Sequence, residues 1–224
     1  MKKLFLNKEK KTYVIDRDWI CKHIDSGRVL DVGCACGQFL SIFDPKKWDR
    51  HGLDIEKESA EFAKRKYGIP VEVGSLFEIK FKGKFDLIIL RGVIEHISEP
   101  ITFIRKCKEL LKPDGLLYIT ATPAGDSFAF NVYRNKWHLF TPPEHIHFFT
   151  VKLLNNKLEK MGLRLLDHHY QYQETPYADY EKDFEKIQKD IIYLYTGEKS
   201  KVKNSVPFPG SMITAVWKNQ KNKK

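Results

Sequence analysis

The sequence predicts a doubly wound α/β fold on a mostly parallel sheet of about seven strands, with the last strand antiparallel. Three observations point there. Short apolar runs alternate with amphipathic segments over residues 28–120, the pattern of strand–helix–strand units with right-handed crossovers. The run Phe85-Asp86-Leu87-Ile88-Ile89-Leu90 is nearly all apolar, as a parallel strand covered on both faces requires. A turn of small residues, Gly33 to Gly37, succeeds the first strand, and open sheets of this class bind ligands beyond the carboxyl ends of their strands.

Taken in order, residues 17–25 read as a helix and Arg28-Val29-Leu30-Asp31-Val32 as a buried first strand. A helix is expected from Gly37 to Phe43. Residues 50–54 read as the second strand and 57–67 as the next helix. Pro70 to Val73 is a short third strand and the Phe85 run the fourth. Residues 100–111 form a helix that stops before the turn signal Pro113-Asp114-Gly115. Leu116 to Thr120 is the fifth strand. Beyond residue 122 the pattern loosens, and Thr122 to Thr150 is rich in aromatics, Pro and His. A helix at 151–161 is closed by Gly162. A strand is expected at 163–172, an amphipathic helix from Tyr177 to Tyr195, and a closing strand at 211–217 after Pro207-Phe208-Pro209-Gly210. One domain, 1–224, is expected, with a ligand-binding core at about 28–122 and a cap from about 123–150 and 173–205.

The chain has 224 residues, 42% hydrophobic and 30% charged, which suits one globular domain. No apolar run approaches the ~18 residues of a membrane span, and no signal-peptide pattern opens the chain. Cys21, Cys34, Cys36 and Cys107 form no disulfide framework and no C-x2-C metal knuckle. They read as reduced thiols of a cytoplasmic protein. The net charge is +10, of which residues 1–11 and 218–224 each carry +4. These segments read as frayed, solubilising ends. Nucleic acid is therefore disfavoured as a partner, no membrane insertion is expected, and the chain is expected to act as a monomer or homodimer.

The segment Val29-Leu30-Asp31-Val32-Gly33-Cys34-Ala35-Cys36-Gly37-Gln38-Phe39-Leu40 is the most informative. Gly33 and Gly37 permit a sharp turn and close approach of a ligand, and the helix expected next would present free N–H groups. The dinucleotide fingerprint G-x-G-x-x-G fails, because Ala35 and Gln38 stand at its second and third glycines. A phosphate loop fails too, for want of G-K-[ST]. Asp54 closes the second strand, 17 residues after Gly37. A carboxylate there can accept from both hydroxyls of a ribose.

From residue 28 to about 122 the chain resembles the class I S-adenosylmethionine-dependent methyltransferases. Asp31, Gly33 and Gly37 match the D-x-G-x-G-x-G loop of that family, with Ala35 in place of its middle glycine. Asp54 resembles its ribose-binding acid. Ser75, in Gly74-Ser75-Leu76, stands where the family usually carries an acid near the adenine. Phe85–Ile89 with Val93-Ile94-Glu95-His96-Ile97 is similar to the family's fourth motif and the stretch just after it, and Leu111–Leu117 to the turn into strand five. The resemblance implies a Rossmann-like fold, S-adenosyl-L-methionine as cofactor and S-adenosyl-L-homocysteine as product. It implies a cofactor site formed by Asp31, Gly33, Cys34, Ala35, Gly37, Asp54, Ile55, Ser75, Leu76, Arg91 and His96. The stretch from Trp137 to Thr150 is similar to a segment of methyltransferases that act on sugars and other small molecules, with His145 on its histidine.

The expected function is methyl transfer to a small-molecule acceptor, with a sugar or cell-envelope precursor as the leading class. A hydroxyl or amine acceptor gains from a general base, and an imidazole titrates near neutrality. His145 is the first candidate, with His147, His96 and Tyr133 behind it. No metal is expected, since His138, Glu144, His145 and His147 fit no standard ligand spacing. Aromatics between Phe128 and Phe149 read mainly as lid packing, with an acceptor pocket as the other assignment. Two further functions stay open. The basic ends motivate an RNA or protein methyltransferase, although Leu90-Arg91-Gly92-Val93 stands in place of the N-P-P-Y-type tetrapeptide of the amino-methylating subgroups. Ala35 and Ser75 motivate a non-catalytic protein that only binds the cofactor.

Overall fold

The structure is a computed structural model that describes residues 2–172, 178–207 and 209–220. Its centre is a seven-stranded sheet: β1 (Gly27–Val32), β2 (Trp48–Asp54), β3 (Val71–Val73), β4 (Phe85–Arg91), β5 (Leu111–Pro123), β6 (Leu163–His169) and β7 (Met212–Asn219), in the order β3-β2-β1-β4-β5-β7-β6. The pairs among β1 to β5 are parallel. β7 runs antiparallel to both β5 and β6. The expected doubly wound sheet with a reversed last strand is the observed one.

Alternation along the strands feeds two apolar layers. Leu30, Val32, Ile88, Leu90, Leu117 and Ile119 face one side. There they meet Phe103, Ile104 and Cys107 of α3 (Pro100–Leu110) and Val151, Leu154 and Leu158 of α5 (Val151–Glu159). Val29, Leu87, Ile89, Leu116 and Tyr118 face the other side, against Trp19, Ile20, Phe39, Phe43 and Trp48. Helix ends reflect local chemistry. α2 (Lys57–Tyr67) ends at Gly68 with φ 64°, a left-handed cap that costs glycine little. Thr150 caps α5 by accepting from the Leu153 amide.

Several expectations are corrected. The first helix, α1, spans Lys2–Ile20 rather than 17–25. Thr12, Asp16, Trp19 and Ile20 are its buried residues among those whose side chains are described, a stripe at helical spacing. Two polar members hide that stripe from an apolar count. The N-terminal segment is thus helical rather than frayed. Lys218 is not in a loose end either: it lies in β7 and pairs with Asp114 at 3.1 Å. Lys221, Lys223 and Lys224 lie outside the described residues, as do Tyr177 at the expected start of the late helix and Phe208 of the turn before β7.

The helix expected at Gly37–Phe43 is a single tight turn, Leu40–Ile42. Gly37 takes φ 70° and Phe43 is already extended at ψ 128°, so only the few residues between them are left to wind. The helix before Pro113–Gly115 stops as expected, at Leu110, but the fifth strand begins at Leu111 rather than Leu116. Phe85 pairs with Leu111, the register shifts, and Leu87 pairs with Leu116. The late helix, α6, spans Tyr180–Tyr195. With α4 (Phe128–Tyr133) and the loop after it, α6 encloses a third apolar cluster of Ala129, Tyr133, Trp137, Leu139, Ile187 and Val202.

Gly52 is where β2, an interior strand, is packed most tightly beside the site. A Cβ there would lie 2.5 Å from Cys34 Sγ and 2.9 Å from Val71 Cγ2. Gly52→Ala is expected to destabilise the fold by about 1–3 kcal/mol through overpacking. Urea unfolding checks this, and an unchanged midpoint would show that the Cys34 side chain yields freely.

Candidate active site

Parallel pairing brings the carboxyl ends of β1, β2 and β4 together, and two cavities open there. One, of about 330 Å³, is lined by Tyr13, Asp31, Gly33, Cys34, Ala35 and Arg91, among others. The other, of about 400 Å³, is lined by Gly33, Asp54, Ile55, Ser75, Leu76 and His96, with Val93 and Phe103 as apolar walls. They share Gly33, so the first-strand turn divides one cleft into two chambers.

The turn is pinned to the neighbouring strand. The Leu53 carbonyl accepts from the amides of Gly33 at 2.8 Å and Cys34 at 3.1 Å. Asp54 Oδ2 accepts from the Ala35 amide at 2.7 Å, and its Oδ1 from the Glu56 amide at 2.9 Å. Ala35 sits at φ 45°, a left-handed conformation that an alanine adopts at a cost of about 1–2 kcal/mol. The Asp54 bond helps to hold it there. Each Asp54 oxygen keeps a further lone pair for a diol.

Asp31 carries an unsatisfied oxygen at the cavity wall. The residue is 2% exposed, and its Oδ1 takes no hydrogen bond among the described residues. Burial pushes its carboxyl up to about 7, against Arg91, which lowers it; Asp54 adds to the rise. A buried, unpaired carboxylate at a cavity wall calls for a cation. Arg91 supplies the opposite charge in the same chamber. Its Nε donates to Asp16 Oδ2 at 3.2 Å, and its guanidinium lies 4.8 Å from the Tyr13 ring centre. Asp16 is fully buried and also accepts from Tyr118 at 2.7 Å, from Thr120 at 3.2 Å and from Gln171. One chamber therefore offers an anionic and a cationic group, and the other a diol acceptor between apolar walls. An amino acid joined to a nucleoside matches that order.

A third group closes the far rim. Glu95 is 1% exposed, and Thr122 Oγ1 donates to its Oε2 at 3.2 Å. Burial pushes its carboxyl up, opposed by a hydrogen bond to its own backbone and by His96, Thr122 and His145. The Glu95 carbonyl accepts from the amides of Ile146 at 3.0 Å and His147 at 3.3 Å. The loop from Thr141 to His147 is thereby clamped over β4's end. His96 donates from Nδ1 to the Glu144 carbonyl at 2.7 Å, and His145 from Nδ1 to the Leu139 carbonyl at 2.7 Å. The two imidazole centres lie 4.9 Å apart.

Ten of the eleven expected cofactor residues line the cleft. Gly37 does not: a Cβ on it would meet Ala63 of α2 at 2.9 Å, so it serves the packing of the turn. Of the four candidate bases, His96 lines a cavity and His145 stands beside His96 without lining either cavity, while the other two lie elsewhere. Tyr133 is buried in the third cluster, and its hydroxyl donates to Asp190 at 2.7 Å; burial and Asp190 push its phenol up. His147 donates from Nε2 to the Ser98 carbonyl at 3.4 Å and lines neither cavity. His138 bonds Ser205 and is pushed down to about 4 by burial, with Asp183 opposing. Of the four residues weighed as metal ligands, His145 alone joins a compact ligand group among the described residues, and its companions are Glu95 and His96. Four of the aromatics pack on one another: Phe148 stacks on Phe130 at 5.8 Å and on Phe140 at 5.6 Å, and Trp137 meets Phe130 and Phe148. Sequence reading missed Tyr13 and Asp16. Their signal was a helical-spaced face that runs on to Trp19 and Ile20.

Comparison with known proteins agrees with this geometry. The model of a family described as "Methyltransferase domain" matches residues 13–168. An uncharacterised protein of Methanocaldococcus jannaschii, MJ1123, is 29% identical over 144 residues, which span 64% of this chain and 67% of that protein. A ubiquinone biosynthesis O-methyltransferase of Pelagibacter ubique is 25% identical over 179 residues, 71% of this chain and 75% of the relative. A SAM-dependent methyltransferase from Archaeoglobus fulgidus has the same fold, with a TM-score of 0.62 at 16% identity over 96% of this chain and 99% of that one. The chain belongs to the class I S-adenosylmethionine-dependent methyltransferases.

Two outcomes are expected. S-adenosylhomocysteine binds at micromolar concentration and NAD does not, and Asp54→Ala weakens binding of the former at least tenfold, the order expected on losing charge-assisted bonds of about 1.5–3 kcal/mol; calorimetry with unchanged affinity in the variant would refute the Asp54 assignment. The raised Asp31 carboxyl stabilises the ligand-free fold below its ordinary 3.8, and that contribution is lost as pH rises through about 7. A bound ammonium favours the carboxylate, so ligand uptake near pH 6 should release a proton. Titrations in buffers of different ionisation enthalpy measure this, and no release would place the ammonium elsewhere.

Proposed function

We propose that this chain transfers the methyl group of S-adenosylmethionine to a hydroxyl oxygen of a small-molecule acceptor, with His145 as general base. The observation that carries the proposal is the loop clamped on Glu95, which sets His145 beside His96 at the rim of the cofactor cleft. When bound, S-adenosylmethionine supplies an electrophilic methyl group on a sulfonium. Asp31 holds its ammonium and Arg91 its carboxylate, while the backbone from Gly33 to Ala35 tracks the methionyl chain. Asp54 accepts from the ribose hydroxyls. Ile55, Ser75, Leu76 and His96 border the base. Fixing the two reactants in line contributes about 7–11 kcal/mol toward the barrier.

His145 donates its Nδ1 proton to the Leu139 carbonyl, which leaves Nε2 as the lone pair that takes the acceptor's proton. The nearby Glu95 carboxylate then balances the imidazolium. The whole chain acts as one methyltransferase domain, in which the segments at about 123–150 and 173–205 cover the acceptor side. Acceptors of the proposed class include a sugar or cell-envelope precursor and the ubiquinone-pathway intermediate implied by the name of the Pelagibacter relative. Oxygen is favoured over nitrogen because that relative is named for O-methylation. Free thiols, two of them buried, support a reducing compartment such as the cytoplasm. No helix among the described residues is long and apolar enough to cross a membrane.

His145→Ala is expected to lower kcat by about 10²–10⁴-fold, the worth of a positioned base, while S-adenosylhomocysteine binds as before. Transfer of labelled methyl to a panel of polyols and dihydroxy aromatics measures this. An unchanged kcat on an accepted substrate would remove His145 from the chemistry.

A further inference from the structure

We propose that Asp16 is a positioning residue for the cofactor: from behind the first chamber it holds Arg91 off Asp31, so that the two opposite charges stay apart and can receive the two ends of one amino acid. The inference rests on the assignment, proposed above, of the cofactor's carboxylate to Arg91 and its ammonium to Asp31.

The chamber poses a problem that its lining alone does not solve. Asp31 and Arg91 both border it. Opposite charges in a partly enclosed space attract more strongly than in water. An arginine is long enough to seek the nearer partner, and its planar fork matches a carboxylate. Left to themselves, the two groups would close on each other, and a zwitterionic ligand would find both already neutralised. The observed arrangement is different. Asp31 Oδ1 takes no hydrogen bond, and Arg91 makes its ion pair with Asp16 rather than with Asp31 among the described residues.

Asp16 wins this competition because it is fixed before Arg91 reaches it. It is fully buried and does not line the chamber. Three neutral donors, Tyr118, Thr120 and Gln171, all bond its Oδ1. Thr120 is itself tied to Thr214 of β7 at 2.8 Å. Oδ2 is left to accept from Arg91 Nε at 3.2 Å. An acceptor already held in place orders the arginine at less entropic cost than a free one. Tyr13, one turn before Asp16 on α1, adds its ring 4.8 Å from the guanidinium and packs on Phe39 at 5.5 Å. Arg91 donates only from Nε among the described residues. Its two terminal nitrogens are the pair that grips a carboxylate end-on.

Calorimetry on the full chain with three ligands tests this role: S-adenosylhomocysteine, its deaminated analogue that keeps the carboxylate, and methylthioadenosine, which carries neither charge. Asp16→Asn keeps the volume, but its amide nitrogen cannot accept from Arg91. Affinity for the first two ligands should fall at least tenfold, the order expected on losing a charge-assisted bond, and affinity for methylthioadenosine should stay within twofold. Equal losses for all three ligands, or none, would show a residue that only supports the fold and would overturn the proposal. Because Asp16 acts through Arg91, adding Asp16→Asn to Arg91→Gln should change S-adenosylhomocysteine affinity less than twofold; fully additive losses overturn it too. Thermal melts establish that the variants fold. A measurement on the wild type stands even if Asp16→Asn does not: by heteronuclear NMR the Arg91 Nε–H, identified by its absence in Arg91→Lys, should exchange slowly in the ligand-free protein, and rapid exchange overturns the pairing. Failure of the wild type to bind any of the three ligands sinks the cofactor site itself, whereas normal binding with an unaltered profile in folded Asp16→Asn sinks the role of Asp16 alone.

Discussion

The Leu53 carbonyl accepts two successive amides from the turn after β1, and the cofactor cleft depends on that bracket. It ties the end of β1 to the end of β2, so Asp31 and Asp54 stand at neighbouring strand ends. The same turn carries Gly33, which both chambers share. A Cβ on Gly33 would lie 2.9 Å from Val93 Cγ2, so the turn itself requires glycine there. Ala35 shows how far the turn tolerates a side chain: it takes the left-handed conformation, and its amide is held by Asp54. Binding geometry here comes from sheet pairing and one strained turn rather than from a helix terminus.

Charge is arranged in layers behind that bracket. Asp31 faces the cleft without a protein hydrogen bond on Oδ1, while Arg91 is held from behind by Asp16. Asp16 in turn gathers Tyr118, Thr120 and Gln171 from β5 and the end of β6. A buried carboxylate with this many donors is well satisfied, and it fixes the guanidinium against the cleft. The result couples α1 to the sheet through a polar knot inside an otherwise apolar face. Removing Arg91 would leave the fully buried Asp16 without its ion-pair partner, which costs more than the pair itself contributes.

The rim beyond β4 is built by a second bracket of the same kind. One carbonyl, that of Glu95, receives two amides from the loop carrying His145. The side chain of the same residue meets both histidines. Backbone and side chain of Glu95 thus do separate jobs: the carbonyl closes the loop, and the carboxylate sets the electrostatics. The packing behind the loop is aromatic, with Trp137, Phe130, Phe140 and Phe148 in contact with one another. Flat rings give the loop a firm backing.

Local pattern determined much of this protein. Continuous apolar runs marked β1 and β4, because a strand covered on both faces has no polar side to show. The span of α2 was legible because Gly68 and a basic last turn end it. Asp31, Gly33 and Asp54 were legible because strand-end acids and small turn residues keep a fixed spacing within one strand–turn–strand unit. What stayed hidden depends on contacts between distant segments. Asp16 looks like any polar helix residue until Arg91, 75 positions away, arrives beside it. Tyr133 and His147 had suitable chemistry, but their partners, Asp190 and the Ser98 carbonyl, lie far along the chain and bind them outside the cleft. The grouping of Glu95 and His96 with His145 exists only once the loop folds back on β4. Sequence spacing carries strand ends and turns, because they are local; which polar groups meet inside the molecule is decided by the tertiary fold, because burial forces each to find a partner wherever the chain brings one.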